Sequence, residues 1–338
     1  MGQHKIITCT GYGGTGSSVI TDLLKEYDNV KSTGCFELSI AHEMDGISDL
    51  QHYIVDDFNR NKVSEGLYRF RRLTRFVQRG YDRQLGGLFT PAAKQYLREL
   101  EDLCWQGSSH LHMRRGSRLN MYACHAMPAH IQMLLHKLRP FTPPYEYAPR
   151  HRKHPMSMSY GEARFFEATR RFYTTLFDGL DPQYEYEYLA LDQLVPPNNL
   201  ERYTRYFDNI KTIVIDRDPR DLYLLNKLFW KEGWIPTDST EVFIKWFELI
   251  RRHRETEQSD PRQVLHLRFE DCLLDYDATV ARIETFLGIG AEHHVRPRTV
   301  FSPDRSAKNF RLWERYPGHD AEIATIERAL GPYCYGTR

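Results

Sequence analysis

The sequence predicts an α/β protein of three layers, with a mainly parallel central sheet and one large helical insertion. Three observations carry this. A β-branched run, Ile6-Ile7-Thr8-Cys9-Thr10, leads directly into a glycine-rich turn and then a helix-patterned stretch. Apolar strand patterns at residues 186–191, 212–215 and 264–269 are each followed by helix-forming sequence. Alternating strands and helices build parallel sheets with both faces covered. Between these two α/β ends, residues from about 50 to 180 read as mostly helical.

The opening element is Gly11-Tyr12-Gly13-Gly14-Thr15-Gly16-Ser17-Ser18. Val19, Ile20, Leu23 and Leu24 follow on one helical face. Glycines let the backbone curl and approach a ligand closely. The loop amides and the helix N-terminus then converge on one point, which attracts an anion, most often a phosphate. Ser17 and Ser18 add hydroxyl donors. The spacing is that of a P-loop, G-x-x-x-x-G-K-[ST], with Ser17 at the lysine position. The expected fold class is therefore P-loop-type three-layer α/β/α. The absent lysine argues against γ-phosphate chemistry, which uses it to hold the β/γ-phosphates.

The bulk composition narrows the class. A chain of 338 residues accommodates a single domain, 1–338, with the helical insertion at 50–180 inside it. A net charge of +1 gives no global attraction to nucleic acid. Six scattered cysteines without a C-x-x-C pair suit free thiols in a reducing compartment. No apolar run reaches the ~18 residues of a transmembrane helix. The first strand begins almost at once, leaving no room for a signal peptide. The expectation is a cytoplasmic protein; the oligomeric state is not legible.

After the opening unit, residues 32–38 form a second strand-like segment. The insertion holds helical patterns at 67–73, 92–103 and 129–138. Arg69, Arg72, Arg75, Arg79 and Arg83 recur at helical spacing, as a solvated face or as a rim for an anionic ligand. Residues 139–157, rich in Pro, His and Arg, read as an exposed loop. His151 and His154 lack a carboxylate or cysteine at metal-ligand spacing, so a surface cluster is expected. In Asp216-Arg217-Asp218-Pro219-Arg220-Asp221, Asp218 suits a helix N-cap and Pro219 the first helical position. Arg217 needs no capping role. At the carboxyl end of a central strand, its planar guanidinium suits bidentate phosphate binding. Glu270 and Asp271, at another strand end, read as helix caps or site residues.

Together these stretches resemble the sulfotransferases that use 3′-phosphoadenosine-5′-phosphosulfate (PAPS), of a bacterial type similar to surface-polysaccharide sulfotransferases. The loop at 11–18 resembles the 5′-phosphosulfate loop, commonly Tyr-Pro-Lys-Ser-Gly-Thr-Thr. Residues 217–221 resemble the 3′-phosphate motif. Arg268-Phe269-Glu270-Asp271 with Phe286-Leu287-Gly288 resembles the Tyr-Glu-Asp strand and Phe-Leu-Gly helix. Ser306-Ala307-Lys308-Asn309 with Trp313 resembles the late segment that closes over the nucleotide. Two departures stand out. Gly14 occupies the family's lysine position. Leu225, with Asn226 adjacent, occupies that of a conserved-type serine.

The resemblance implies a donor site for PAPS and its product PAP (3′-phosphoadenosine-5′-phosphate). It comprises Tyr12, Gly13, Gly14, Thr15, Gly16, Ser17, Ser18, Arg217, Asn226, Phe269, Arg305, Lys308 and Asn309, with no metal. Lys5, Arg305 and Lys308 are the candidates to replace the missing loop lysine. Glu37 is the expected general base, as in bacterial relatives with a Glu before Asp-Gly-[Ile/Leu]-x-Asp-Leu, here residues 45–50. It would lie near the loop if its strand neighbours the first. His42, Glu43 and His125 are the runners-up. The expected partners are the nucleotide donor and a hydroxyl-bearing acceptor, a glycan or glycolipid. A sterol or phenol is the alternative acceptor. Tyr68, Tyr81, Tyr122, Tyr145 and Tyr147 in the insertion favour sugar. Two readings of another kind are a P-loop kinase, with Asp216 as its magnesium ligand, and a non-catalytic nucleotide-binding protein.

Overall fold

The computed structural model describes residues 4–107, 117–138 and 153–336. Its strands are β1 (Lys5–Gly11), β2 (Val30–Glu37), β3 (Leu103–Gly107), β4 (His154–Met158), β5 (Tyr188–Asp192), β6 (Ile210–Asp216) and β7 (Val264–Arg268). Five form one sheet in the order β2-β5-β1-β6-β7, every pairing parallel. Strands β1, β5 and β6 are buried along nearly their whole length. Such burial needs cover on both faces, which explains why they read as continuous apolar runs. The chain thus has the expected P-loop-type α/β fold with a central parallel sheet.

The chain divides into two compact units, 1–42 with 173–338, and 43–172. In the first, helix Ser17–Leu24 packs Val19, Ile20, Leu23 and Leu24 onto Ile7 and Cys9 of β1. Helix Tyr276–Leu287 joins this core through Val280, Ile283 and Leu287. A second core joins helices Pro219–Leu225, Thr240–Arg251 and Asp320–Leu330 through Leu222, Phe243, Phe247 and Ile326. Each such side chain contributes about 1.5–3 kcal/mol on burial.

The second unit is mainly helical. Helix Arg60–Gln84 is capped by Asn59, whose side chain accepts from the Asn61 amide at 3.0 Å. Phe70, Phe89 and Tyr96 meet edge-on with their aromatic neighbours inside it. Arg69, Arg72, Arg75, Arg79 and Arg83 lie on its solvent face. Two expectations change here. The helix expected at 92–103 runs Phe89–Leu100, and Leu103–Gly107 is strand β3. It pairs antiparallel with β4, so His154 and Pro155 lie in a strand and not in the loop expected through 157. Residues 139–152, with Tyr145, Tyr147 and His151, lie outside the described residues.

Candidate functional site

All five strands of the parallel sheet end at one cavity of about 560 Å³. From β2 comes Glu37, from β5 Asp192 and Gln193, from β1 the glycine loop, from β6 Arg217, and from β7 Phe269. Register brings these ends level: Gly11 faces Ile215, Cys9 faces Asp192, and Asp216 faces Arg268. A ligand site at the carboxyl ends of parallel strands is the general rule for such sheets.

The loop's glycines answer to backbone and packing together. Gly13, Gly14 and Gly16 have φ of 87°, 66° and 100°, the left-handed region. A Cβ on Gly16 would fall 2.7 Å from the Phe269 ring. Helix Ser17–Leu24 starts directly after them, so its free amides and dipole face the cavity.

Arg217 lies on the cavity wall. It is 2 % exposed, and its guanidinium sits 4.2 Å above the Phe269 ring centroid. One Nη donates to the Asn309 carbonyl, which ties it to the late segment. Nε is buried with no hydrogen-bond partner among the described residues. Burial lowers its pKa, and the carboxylates of Asp221, Glu270 and Asp218 oppose that shift, so it stays cationic. A buried donor without an acceptor fits an anionic ligand.

The neighbouring acidic residues are structural. Asp218 caps helix Pro219–Leu225, accepting from the Arg220 amide at 2.8 Å, and also pairs with the Arg220 guanidinium at 2.7 Å. Asp221 accepts from the Arg311 and Leu312 amides at 3.1 and 2.7 Å, which pins the late segment. Burial pushes it up to about 7. Glu270 is not an N-cap. It reaches across to accept from the Asp218 amide at 2.8 Å. Asp216 holds Arg251 at 2.7 Å and Arg254 at 2.6 Å. Both its oxygens are thereby occupied, which removes the one residue that suggested a kinase-like magnesium site.

Of the expected donor-site residues, Gly13, Gly14, Gly16, Ser17, Ser18, Arg217, Phe269, Arg305, Lys308 and Asn309 line this cavity. Tyr12, Thr15 and Asn226 do not. Tyr12 turns to the Arg251 guanidinium, 4.6 Å from its ring, and lines a separate cavity of about 250 Å³. Thr15 is buried beneath the loop. Asn226 is 1 % exposed, accepts from the Glu232 amide at 2.9 Å and donates to the Ile235 carbonyl at 3.0 Å. Lys5 is far from the loop, at the opposite end of β1, paired with Glu187 at 2.6 Å. Arg305 lines the cavity but donates to the Val300 carbonyl at 2.7 Å. Lys308 lines it too, exposed and without an ion pair among the described residues.

Glu37 reaches the cavity by a different route from the one expected. Strand β5 lies between β2 and β1, so β2 does not neighbour β1. A register irregularity between Ser32 and Glu37 re-aims the strand end. Glu37 then stands opposite Asp192. Asp192 is 3 % exposed, and burial pushes its carboxyl up to about 7, with a hydrogen bond from Ser17 opposing and the Glu37 charge adding. Gln193 beside it takes φ 51°, a strained value for a non-glycine, and accepts from the Thr10 hydroxyl at 2.9 Å.

His42 donates Nε2–H to the Gln193 carbonyl at 2.9 Å and does not line the cavity. Glu43 belongs to the second unit. The His125 side chain lies outside the described residues.

Among the cavity residues that were not anticipated are Asp192, Gln193, Trp230, Trp234, Val300 and Phe301. Asp192-Gln193 ends an apolar strand run, as Asp216-Arg217 does, and that shared pattern is the signal that could have found it. The tryptophans carry no local signal beyond their rarity.

A family profile described as "Sulfotransferase family" matches residues 108–293. No curated protein matches the chain. Among solved structures, the chain is similar to the sulfotransferase domain from the curacin biosynthetic pathway, at 14% identity over 97% of this chain and 98% of that chain, with a TM-score of 0.42. It is similar to sulfotransferase STF9 from Mycobacterium avium at 11% identity over 96% and 77%, with a TM-score of 0.36. For sulfotransferase STF1 from Mycobacterium tuberculosis H37Rv the figures are 11%, 92% and 77%, with a TM-score of 0.31. The profile match spans more than half of the 338 residues, and on that extent the chain belongs to the sulfotransferase family.

Proposed function

We propose that the cavity binds PAPS and that the chain transfers its sulfuryl group to an acceptor hydroxyl. The observation that carries this is one cavity holding both an anion-cradling glycine loop and a buried arginine with an unpaired Nε. A nucleotide with phosphates at two positions matches two separate anion sites. When bound, the donor supplies an activated sulfuryl group on a phosphate anhydride. The loop amides, Ser17 and Ser18 hold the 5′-phosphate end. Arg217 holds the 3′-phosphate, with Asn309 fixing the guanidinium. Phe269, Val300 and Phe301 supply apolar walls for the base. Lys308 is the cation in place of the loop lysine. Glu37 takes the acceptor's proton, and Asp192 shares its environment. The reading is of a metal-independent, in-line displacement in which positioning and oriented donors do most of the work.

The acceptor in this reading is a glycan or glycolipid hydroxyl, and the helical segment at 50–180 contributes to binding it. Support comes from a groove of about 250 Å³ in the 43–172 unit. Arg75, Lys94 and Arg98 ring an apolar floor of Phe89, Ala93 and Leu97 there, which suits a sugar chain carrying negative charge. A cytoplasmic location is supported by the free thiols Cys9, Cys35, Cys104, Cys272 and Cys334. Among the described residues, no helix is long and apolar enough to cross a membrane.

The test is a thermal-shift series with PAP, PAPS and ATP·Mg²⁺, followed by turnover with labelled PAPS. Stabilisation by PAP and PAPS with label reaching an acceptor is the expected result. Stabilisation by ATP·Mg²⁺ alone overturns the donor assignment, and PAP binding without turnover marks a non-catalytic protein. Label reaching mainly a sterol or phenol overturns the glycan acceptor only.

A further inference from the structure

Trp230 and Trp234 line the cavity but have no part in the donor site described above. The two residues are 41 % and 53 % exposed. Local hydrogen bonds place both residues. Trp230 closes a π-helical turn, Asn226–Trp230, and the Asn226 amide bonds described above hold the segment that carries Trp234. Both rings lie on the glycine loop. A Cβ on Gly13 would fall 2.0 Å from the Trp234 ring, and one on Gly14 would fall 2.7 Å from that of Trp230.

The loop therefore has two distinct ends. At Gly16 it packs on Phe269, above which Arg217 sits. At Gly13 and Gly14 it packs on two indoles that stay half open to solvent. With the 3′-phosphate at Arg217, the group being transferred lies towards the indole end. A large aromatic face left open beside a binding cavity is a stacking surface in waiting. Among the cavity residues that the nucleotide leaves free, Glu37 and Asp192 offer carboxyl oxygens, and Gln193, which also bonds Thr10 and Ser17, offers a second lone pair on its amide oxygen. They match the many hydroxyls of a sugar. A sterol or phenol pocket is mostly apolar with few polar groups.

We propose that Trp230 and Trp234 are the acceptor platform, on which the apolar face of a pyranose ring stacks while the cavity's carboxylates and amide take its hydroxyls. This rests on the donor reading above and seats the reacting sugar on the 173–338 part of the chain.

The test is calorimetry on the full chain, first with PAP and then, at saturating PAP, with chitotetraose, maltotetraose and 4-nitrophenol. The variants are Trp230→Ala, Trp234→Ala and the two Trp→Phe changes, which keep an aromatic face. The wild type is expected to bind an oligosaccharide. The alanine variants should lose tenfold or more of that affinity and the phenylalanine variants less than threefold. PAP affinity should stay within threefold throughout. The proposal is overturned if the wild type binds only 4-nitrophenol or none of the three. It is equally overturned if the alanine variants keep oligosaccharide affinity, or if PAP affinity falls in parallel, which would make the rings supports of the loop. A wild type that binds no PAP, yet binds oligosaccharide through the two tryptophans, sinks the donor reading and leaves the platform standing.

Discussion

Arg217 is 2 % exposed over the Phe269 ring, and its Nε faces no acceptor among the described residues. A charge-assisted bidentate contact made there would contribute about 1.5–3 kcal/mol, so Arg217→Ala should weaken PAP binding about ten- to a hundredfold. Calorimetry giving equal affinities would contradict the assignment. Glu37 and Asp192 present a second residue-scale problem, two carboxyls at paired strand ends. Glu37→Gln should keep PAP affinity and lower turnover by about 10²–10⁴, the usual loss with a general base. Asp192, pushed up to about 7 by burial, also makes a stability prediction. Its folded value lies above the unfolded value of about 3.9, so between the two the native state holds a proton that the unfolded chain has released. Stability from this group is full below about 4 and is lost as pH rises to about 7. Asp192→Asn should therefore become progressively more stable relative to wild type from pH 4 to 7. Parallel melting curves with a pH-independent difference would show that the carboxyl is not shifted.

Elements that sequence order keeps apart are joined by buried carboxylates. Glu26, just past helix Ser17–Leu24, is fully buried and accepts from the Arg298, Val300 and Phe301 amides at 2.8–2.9 Å and from His294 Nε2 at 2.9 Å. It thereby hangs the Val300–Phe301 cavity wall on the glycine-loop helix. Asp221 does the same for residues 311–312. Removing the Glu26 carboxylate leaves three amides unpaired, that of Phe301 buried and those of Arg298 and Val300 partly buried, each costing ~1 kcal/mol. Glu26→Ala should lose about 3 kcal/mol in urea unfolding and also weaken PAP binding through the displaced wall. Loss of stability with PAP affinity unchanged would separate that wall from the nucleotide site. Nothing local in Lys25-Glu26-Tyr27 signals this role, because its partners lie some 270 residues on. Helix Pro219–Leu225 was legible for the opposite reason: its cap, its first-turn proline and its apolar face lie within eight residues.

At the scale of the whole molecule, the legible part was whatever local pattern fixes. The strand-loop-helix start, the buried run that became β6, the strand at β7 (an edge strand buried only at Val264 and Leu267), and Arg217 at a strand end all follow from neighbouring residues. Strand order does not, and Glu37 reaches the site beside β5 across from Asp192, not beside β1. Trp230 and Trp234 meet Gly13 and Gly14 only through the tertiary fold. The convergence of five strand ends on one cavity also decides how charge is handled there. Negative charge on a leaving phosphate would meet the loop amides, the dipole of helix Ser17–Leu24 and the Lys308 ammonium, which has no ion pair among the described residues. These are fixed positive groups placed before the reaction, which lowers the cost of reorganisation. The carboxylate that a kinase-like reading would give to magnesium, Asp216, is bound to Arg251 and Arg254 instead. Turnover with labelled PAPS should therefore proceed at an unchanged rate after EDTA treatment, and added Mg²⁺ should not raise it. The measurement is the initial rate before and after chelation, then after Mg²⁺ is restored. A rate abolished by EDTA and recovered with Mg²⁺ would mean that these cationic groups do not suffice and that a divalent ion holds the leaving phosphate.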